Sequence, residues 1–214
     1  MSISVLAICG AANKQRNTAT MLKNAFDGAL SVPDTTGEII YLHDLTFHGC
    51  IGCHSCKLLD KTKFARCAMQ DDLSPVLEKA IAADVILIGS PIYFSSITGE
   101  TRSFLERFFF PGITYNANPE PTYPKRPFVG WLFTMNAPVE TYTGYFNALV
   151  DMSKNIIGES EYVTAWQTQQ FDDYSKYAAT RFDVEAVKKW HIEQFPKDCA
   201  AAFKMGQRLA GAAK

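Results

Sequence analysis

Residues 84–89 read Asp-Val-Ile-Leu-Ile-Gly, and this stretch gives the strongest indication of the fold class. An uninterrupted apolar run of this kind, rich in β-branched residues, is typical of a strand whose two faces are both buried. Such strands lie in parallel sheets, because helices cover both faces of those sheets. The stretch therefore predicts a central strand in an α/β fold.

The segments on both sides of this strand alternate between strand and helix patterns. Further strands are predicted at residues 3–9, 38–42, 128–134 and 161–166. Helices are predicted at residues 17–30, 72–83, 98–109 and 139–157, with Asp72 as the N-cap of the second, and in a helical C-terminal tail over residues 183–214. Alternation of this kind implies a parallel sheet with helices on both faces. We therefore predict an α/β, flavodoxin-like, doubly wound fold with a five-stranded parallel sheet in the order 2-1-3-4-5.

The length of the chain, 214 residues, predicts a single domain over residues 1–214. Two long connections are expected to interrupt its regular pattern. One is a cysteine-rich loop at residues 48–71, and the other is a proline-rich loop at residues 111–127. Long connections of this kind often serve as lids or contact surfaces.

The charge pattern excludes several classes of protein. Lys and Arg number 21 against 22 Asp and Glu, a formal net charge of -1, so we expect no nucleic-acid surface. No apolar run approaches the ~18 residues of a membrane span, and the apolar start lacks the charged residues and cleavage site of a signal peptide. We therefore expect a cytoplasmic protein that does not bind membranes. Its six cysteines should be thiols or ligands rather than disulfides.

Residues 10–18 read GAANKQRNT and join the first strand to the first helix. In doubly wound folds ligands bind beyond the carboxyl ends of the strands, which is where this loop is expected to lie. Backbone N–H groups at a helix N-terminus favour a bound anion, and Asn17, Thr18 and Arg16 could add donors and charge. The loop is consistent with a phosphate site, and an ordinary N-cap at Asn17 is the alternative.

This loop resembles the phosphate loop of the NADPH-dependent FMN reductase and iron–sulfur flavoprotein families. Their pattern is Gly-Ser-Pro-Arg, a short polar stretch and Asn-Thr, and Gly10, Asn17 and Thr18 match it in spacing. The chain departs from the pattern at Ala11, where Ser is usual, and at Asn13, where Arg is usual. The resemblance implies that the FMN phosphate is bound by Ala11, Asn13, Arg16, Asn17, Thr18 and Ala19.

A second loop, residues 89–94, reads GSPIYF and resembles the Ser-Pro-Val-Tyr-Trp/Phe segment of the same families. In those families the segment lies along the isoalloxazine ring. The resemblance implies that the wall of the flavin site is formed by Pro91, Ile92, Tyr93 and Phe94. Met135 and Asn136 are added on position alone, because they follow the fourth strand at the same edge. A strand end with a surface tyrosine is the alternative.

Cys50, Cys53 and Cys56 form a C-x2-C-x2-C run, and Cys67 follows after ten residues. Three thiolates at this spacing can face one centre, and a fourth ligand would complete the set for a [4Fe–4S] cluster. Zinc also accepts four cysteines, but its sites normally pair two separated C-x2-C units, so the compact run favours iron. The run resembles the cysteine motif of the iron–sulfur flavoproteins, whose last gap is usually shorter. A loop of reduced thiols, or a disulfide formed on handling, is the alternative.

The resemblance as a whole implies an enzyme, an FMN-dependent oxidoreductase reduced by NAD(P)H. Its acceptor would be a small molecule such as a quinone, a protein, or a cluster on the cysteine loop, and the chain would form a homodimer or homotetramer. No catalytic side chain is assigned, because the cofactor carries the chemistry. One alternative is a flavodoxin-type electron carrier, although true flavodoxins are strongly acidic and shorter. The other is a redox or metal sensor on an empty flavodoxin scaffold, which the unusual Ala11 and Asn13 keep open.

Overall fold

A computed structural model of the chain describes residues 2–59, 64–117 and 122–214. Two parts of the predicted loops, residues 60–63 and 118–121, lie outside the described residues. The described part of the chain contains six strands and six α-helices.

The strands form one sheet in which five long strands run parallel. The strands are β1 (Ile3–Cys9), β2 (Thr35–Tyr41), β3 (Val85–Tyr93), β4 (Ser96–Ile97), β5 (Phe128–Thr134) and β6 (Ser160–Ala165). Their order is β2-β1-β3-β5-β6, and the short β4 pairs with the end of β3 in an antiparallel hairpin. Counted over the five parallel strands, this is the predicted order 2-1-3-4-5, and the flavodoxin-like doubly wound fold is confirmed.

Helices cover both faces of the sheet and enclose two hydrophobic cores. They are α1 (Asn17–Leu30), α2 (Ser74–Ala82), α3 (Gly99–Gly112), α4 (Thr143–Ile156), α5 (Val184–Glu193) and α6 (Phe195–Ala212). One core lies under α2, α3 and α4, where Phe104, Phe146 and Trp131 are buried against the sheet. The other lies under α1 and α6, where Met21 and Met205 are buried.

Helices α1 and α6 touch through their backbones. A Cβ atom added to Gly206 would lie 1.8 Å from the carbonyl oxygen of Ala25, and one added to Gly28 would lie 2.0 Å from that of Phe203. Glycine is needed at both positions, because any side chain would collide with main-chain atoms that cannot move independently. This contact fixes α1 on the sheet, and with it the loop that precedes α1.

Several predicted boundaries differ from the structure, and one cap is wrong. Helix α2 begins at Ser74 and no side chain caps it, while Asp72 accepts a hydrogen bond from the Thr46 N–H at 2.8 Å. The predicted C-terminal helix is two helices, α5 and α6, and Pro196 lies in the first turn of α6. Proline lacks the N–H that would continue the preceding helix but is tolerated in a first turn.

Strand β3 is longer than predicted. It continues past Gly89 to Tyr93, because Ser90 and Pro91 still pair with β5 and the next residues pair with β4. Residues 90–93 of the expected flavin loop are therefore held in extended backbone. Among the described helices, none is long and apolar enough to cross a lipid bilayer.

Candidate functional site

The loops after β1, β3 and β5 meet at one edge of the sheet. The Gly10 N–H donates to the carbonyl oxygen of Gly89 at 2.8 Å, so the first two turns are directly joined. The hydroxyls of Thr18 and Thr134 are 2.6 Å apart and join the start of α1 to the end of β5. The three loops that the fold rule selects therefore form one continuous structure.

Gly10 is packed against the start of α3. Its carbonyl oxygen accepts a hydrogen bond from the Thr98 hydroxyl at 2.9 Å, and Thr98 also caps α3. A Cβ atom at Gly10 would lie 1.8 Å from the hydroxyl oxygen of Thr101. A side chain at position 10 would push the first loop away from the start of α3, so glycine sets the spacing between that loop and the helix.

These loops surround an open cleft of about 720 Å³. Its volume lies in the range of about 300–1,000 Å³ that is usual for small-molecule and cofactor sites. The sequence-predicted residues that line it are Ala11, Asn13, Arg16, Asn17, Thr18, Pro91, Ile92, Tyr93, Met135 and Asn136.

Two residues predicted for this site do not line the cleft. Ala19 is 3% exposed and packs into the core between α1 and the sheet. Phe94 is fully exposed, because it and Ser95 form the left-handed turn of the β3–β4 hairpin with φ of 48° and 65°. Within the structure as described, the aromatic wall of the cleft on this side is Tyr93 rather than Phe94.

The start of α1 is open toward the cleft. Arg16 occupies the N-cap position with extended backbone and its side chain makes no capping bond. Asn17 is the first helical residue rather than the N-cap, and its side-chain amide donates to the carbonyl oxygen of Gln169 at 2.8 Å. The alternative interpretation of Asn17 as an ordinary N-cap is therefore wrong. The first N–H groups of α1 lack a side-chain cap, the arrangement that favours a bound anion.

A fourth wall was not predicted. It is formed by residues 167–182, which we call the post-β6 segment, and its residues on the cleft are Thr168, Gln169, Gln170, Arg181 and Phe182. The sequence offered one signal for it: β6 is also parallel, so its carboxyl end lies at the same edge. The polar residues of this segment carry no strand or helix period, and its contacts with the cleft could not be read from them.

The post-β6 segment is tied to the predicted loops by several contacts. Arg16 and Asp172 form two parallel guanidinium–carboxylate hydrogen bonds, both of 2.6 Å. The Thr168 N–H donates to the carbonyl oxygen of Met135 at 3.3 Å. The side-chain amides of Asn136 and Gln170 are also hydrogen-bonded. The segment is therefore attached both to the loop at residues 10–18 and to the loop after β5.

An aromatic cluster of its own supports the segment. The rings of Phe171 and Tyr177 are stacked with centroids 4.1 Å apart, and the buried Tyr174 accepts a hydrogen bond from the Gln170 N–H at 3.0 Å. Val187 of α5 is buried in the same cluster. This packing gives the segment a defined conformation against the cleft.

The charge of the cleft is positive. Arg16 and Arg181 are the charged residues among the described positions that line it, and no Asp or Glu is found there. The hydrogen bond with Asp172 raises the pKa of Arg16, and the same bond lowers the pKa of Asp172. The cleft is thus suited to an anionic ligand with a flat apolar part.

The four predicted metal ligands surround a second, much smaller cavity. Gly52 and His54 both adopt left-handed backbone, with φ of 66° and 57°, and so turn the chain sharply within the C-x2-C-x2-C run. A cavity of about 20 Å³ is lined by Cys50, Cys53, Cys56 and Cys67. Cys50 and Cys53 are exposed, whereas Cys56 is buried and its burial raises the pKa of its thiol.

Arg107 of α3 holds the two ends of this loop together, and nothing in the sequence pattern indicated this role. Its side chain is 0% exposed. The Nε atom donates to the sulfur of Cys67 at 3.3 Å, and Nη1 donates to the carboxylate of Asp71 at 2.5 Å and to the carbonyl oxygen of His48 at 3.2 Å. The pKa of Arg107 is raised: burial lowers it, but the hydrogen bonds to Asp71 and Cys67 outweigh burial.

The donor set suits a metal centre, but its present arrangement is closed. Four thiols are the ligand chemistry of iron–sulfur clusters and of structural zinc. Across residues 2–59, 64–117 and 122–214, no three His, Cys, Asp or Glu side chains are placed so that they could hold a metal ion. The cavity holds little more than one water molecule, so a cluster requires the loop to open.

Two curated relatives match part of the chain. An iron–sulfur flavoprotein of Archaeoglobus fulgidus is 36% identical over 105 residues, which are 49% of this chain and 48% of that protein. An iron–sulfur flavoprotein of Methanocaldococcus jannaschii is 30% identical over 105 residues, 49% of this chain and 51% of that protein. The chain thus spans about half the length of the curated relatives it matches.

The fold and the family are confirmed independently. The solved structure of an NAD(P)H:quinone oxidoreductase from Methanothermobacter marburgensis superposes with a TM-score of 0.63 at 12% identity, covering 98% of each chain. At that identity the likeness shows the fold alone. A model of the family described as NADPH-dependent FMN reductase matches residues 3–135, which include the loops at Gly10 and Gly89 and the run from Cys50 to Cys67. The chain therefore belongs to the NADPH-dependent FMN reductase family.

Proposed function

We propose that the chain is an FMN-dependent oxidoreductase that binds FMN in the 720 Å³ cleft and takes reducing equivalents from NAD(P)H. The observation that carries the proposal is the convergence of the Gly10 and Gly89 turns, joined at 2.8 Å, on a cleft that no acidic side chain of the described residues lines. Membership of the NADPH-dependent FMN reductase family supports the choice of cofactor and of reductant.

Each wall of the cleft has a separate task in this proposal. The uncapped start of α1 binds the phosphate through its N–H groups. Pro91, Ile92 and Tyr93 hold one side of the ring by apolar contact, and their extended backbone is fixed by β4 and β5. When bound, FMN supplies the redox chemistry, and the side chains need only orient it and leave one side accessible.

The proposal is tested on the purified chain with added FMN. We expect one FMN per chain, with flavin absorbance shifted on binding, and steady-state oxidation of NADPH or NADH when a quinone is supplied. Binding without steady-state oxidation would support the electron carrier instead. No uptake of FMN would contradict the proposal and favour the sensor.

We also propose that the cysteine loop binds an iron–sulfur cluster after it opens. The four cysteines share one cavity, and the two curated relatives are named iron–sulfur flavoproteins. Cys67 is already held against α3 by Arg107, so opening needs to move chiefly the run at Cys50, Cys53 and Cys56. The exposure of Cys50 and Cys53 is consistent with such movement.

This second proposal is tested by anaerobic reconstitution with iron and sulfide. The wild-type chain is expected to take up about four iron atoms per chain, the content of one four-iron cluster. Cys53→Ser should abolish uptake, whereas Cys199→Ser, a buried thiol of α6 remote in sequence from the loop, should leave it unchanged. Equal iron content in the two variants would refute the assignment of an iron–sulfur cluster to this loop. One tightly bound zinc ion in place of iron would assign the four cysteines to a zinc site instead.

A further inference from the structure

The phosphate loop of this chain has little free positive charge of its own. Ala11 carries no side-chain donor, and the Asn13 carboxamide accepts a hydrogen bond from the Gln15 N–H at 2.9 Å. Arg16 is the nearest cation in sequence on the cleft, but both of its terminal nitrogens are bound to Asp172 at 2.6 Å. A phosphate dianion at the start of α1 therefore meets an arginine whose charge is already neutralised.

Arg181 supplies an uncommitted guanidinium in the same cleft. It lines the cleft beside Phe182, its side chain is exposed, and it has no hydrogen bond or ion pair within the described part of the chain. In contrast to Arg16, it is free to bind a ligand without giving up an existing partner.

The surroundings of Arg181 place it toward the phosphate end of the cleft. The residues on either side of it, Thr180 and Phe182, line a crevice together with Asp172, the partner of Arg16. Arg16 in turn occupies the N-cap position of α1. The post-β6 segment thus brings Arg181 to the side on which α1 starts.

We propose that Arg181 is the phosphate-binding arginine of this chain and supplies the uncommitted positive charge that residues 10–18 lack, since Lys14 and Arg16 are both paired with carboxylates. The inference rests on the proposed FMN site and adds a specificity residue to it. Asp172 fixes Arg16 as a structural link to the post-β6 segment, and Arg181 of that segment makes the charge-assisted hydrogen bonds to the phosphate oxygens. The ligand group is the 5′-phosphate of FMN rather than a phosphate of the nicotinamide cofactor.

The test compares FMN with riboflavin, which differs from FMN only by lacking the phosphate. The dissociation constants of both are measured by flavin fluorescence for the wild type, Arg181→Gln and Arg208→Gln. Arg208 is the matched control, because it is an exposed arginine of α6 that pairs with Glu161 and does not line the cleft. Arg181→Gln is expected to weaken FMN about 10- to 100-fold and riboflavin less than about 2-fold, whereas Arg208→Gln changes neither.

The outcomes separate this inference from the proposed function. If the wild type binds neither flavin, the FMN site itself is refuted. If the wild type prefers FMN and Arg181→Gln keeps that preference, only the role of Arg181 is refuted. A changed ratio of NADPH to NADH affinity with an unchanged preference for FMN would assign Arg181 to the nicotinamide cofactor and so also overturn the inference. Arg181→Lys should retain most of the preference, since it keeps the charge.

Discussion

At the scale of single residues, Arg107 has the greatest influence on how the cysteine loop is held. A fully buried guanidinium is stable only when its donors are satisfied, and here they bind Asp71, Cys67 and the main chain. Residues before and after the four-cysteine run are thereby attached to α3. The sequence could not predict this, since arginine in a helix is most often exposed and nothing in its spacing marks burial.

Replacing this guanidinium should destabilise the fold strongly. Arg107→Met removes one partner of a buried ion pair and leaves Asp71 uncompensated, which costs about 3–5 kcal/mol. Arg102→Met on the same helix removes an exposed pair with Glu106, and we expect less than about 1 kcal/mol. Urea denaturation followed by circular dichroism measures both. Similar losses of unfolding free energy in the two variants would show that the buried ion pair of Arg107 stabilises the fold no more than the exposed pair of Arg102.

At the scale of elements, the sequence patterns identified whether a segment is a helix or a strand better than they identified where it begins and ends. Helix α1 and strand β5 were predicted at their observed bounds, because strong periodicity or an unbroken apolar run coincides with clear turn signals. Strand β3 was predicted too short, since its last residues are fixed by pairing with β4 and β5, which is a tertiary effect. The cap at Asp72 failed because that carboxylate binds a distant N–H at Thr46.

The α1–α6 contact gives a test at this scale. Gly206→Ala places a methyl group 1.8 Å from a main-chain oxygen of α1, and we expect a loss of stability of about 1–3 kcal/mol or more. Gly211→Ala in the same helix meets nothing within 4 Å, and it should leave stability unchanged or raise it by up to about 1 kcal/mol. Thermal unfolding of the two variants measures the difference. A Gly206→Ala variant as stable as the wild type would mean that α1 and α6 can move apart to accommodate the methyl group at no cost in stability.

At the scale of the whole molecule, two cores share one sheet, and from this we propose that the chain unfolds as the single domain predicted over residues 1–214. A single cooperative transition is expected in circular dichroism. FMN at about 100 times its dissociation constant should stabilise the fold by ~2.7 kcal/mol, which is about 5–11 °C in Tm for a chain of this size. Two separate unfolding transitions, or an FMN-induced rise in the Tm of only one of them, would show that the parts of the chain around the two cores unfold independently.

The site was predictable in part for reasons of topology. Loops after β1, β3 and β5 follow from the order of the strands and could be named from sequence. The post-β6 segment could not, because its position depends on the Arg16–Asp172 pair and an aromatic cluster formed by residues distant in sequence. The metal role of the cysteines and the homodimer or homotetramer stay predictions, and analytical ultracentrifugation of the chain would decide the latter.

The post-β6 segment lies beyond residues 3–135, the part that matches the family. The turns at Gly10 and Gly89 therefore lie within the part that matches the family, while the wall formed by residues 167–182 lies outside it. We expect substitutions in that stretch to change the shape of the cleft while the Gly10 and Gly89 turns stay joined, as long as Asp172 is kept as the partner of Arg16. Residues 167–182, with Asp172 kept, are thus a segment that can be exchanged between homologues to test how this wall shapes the cleft.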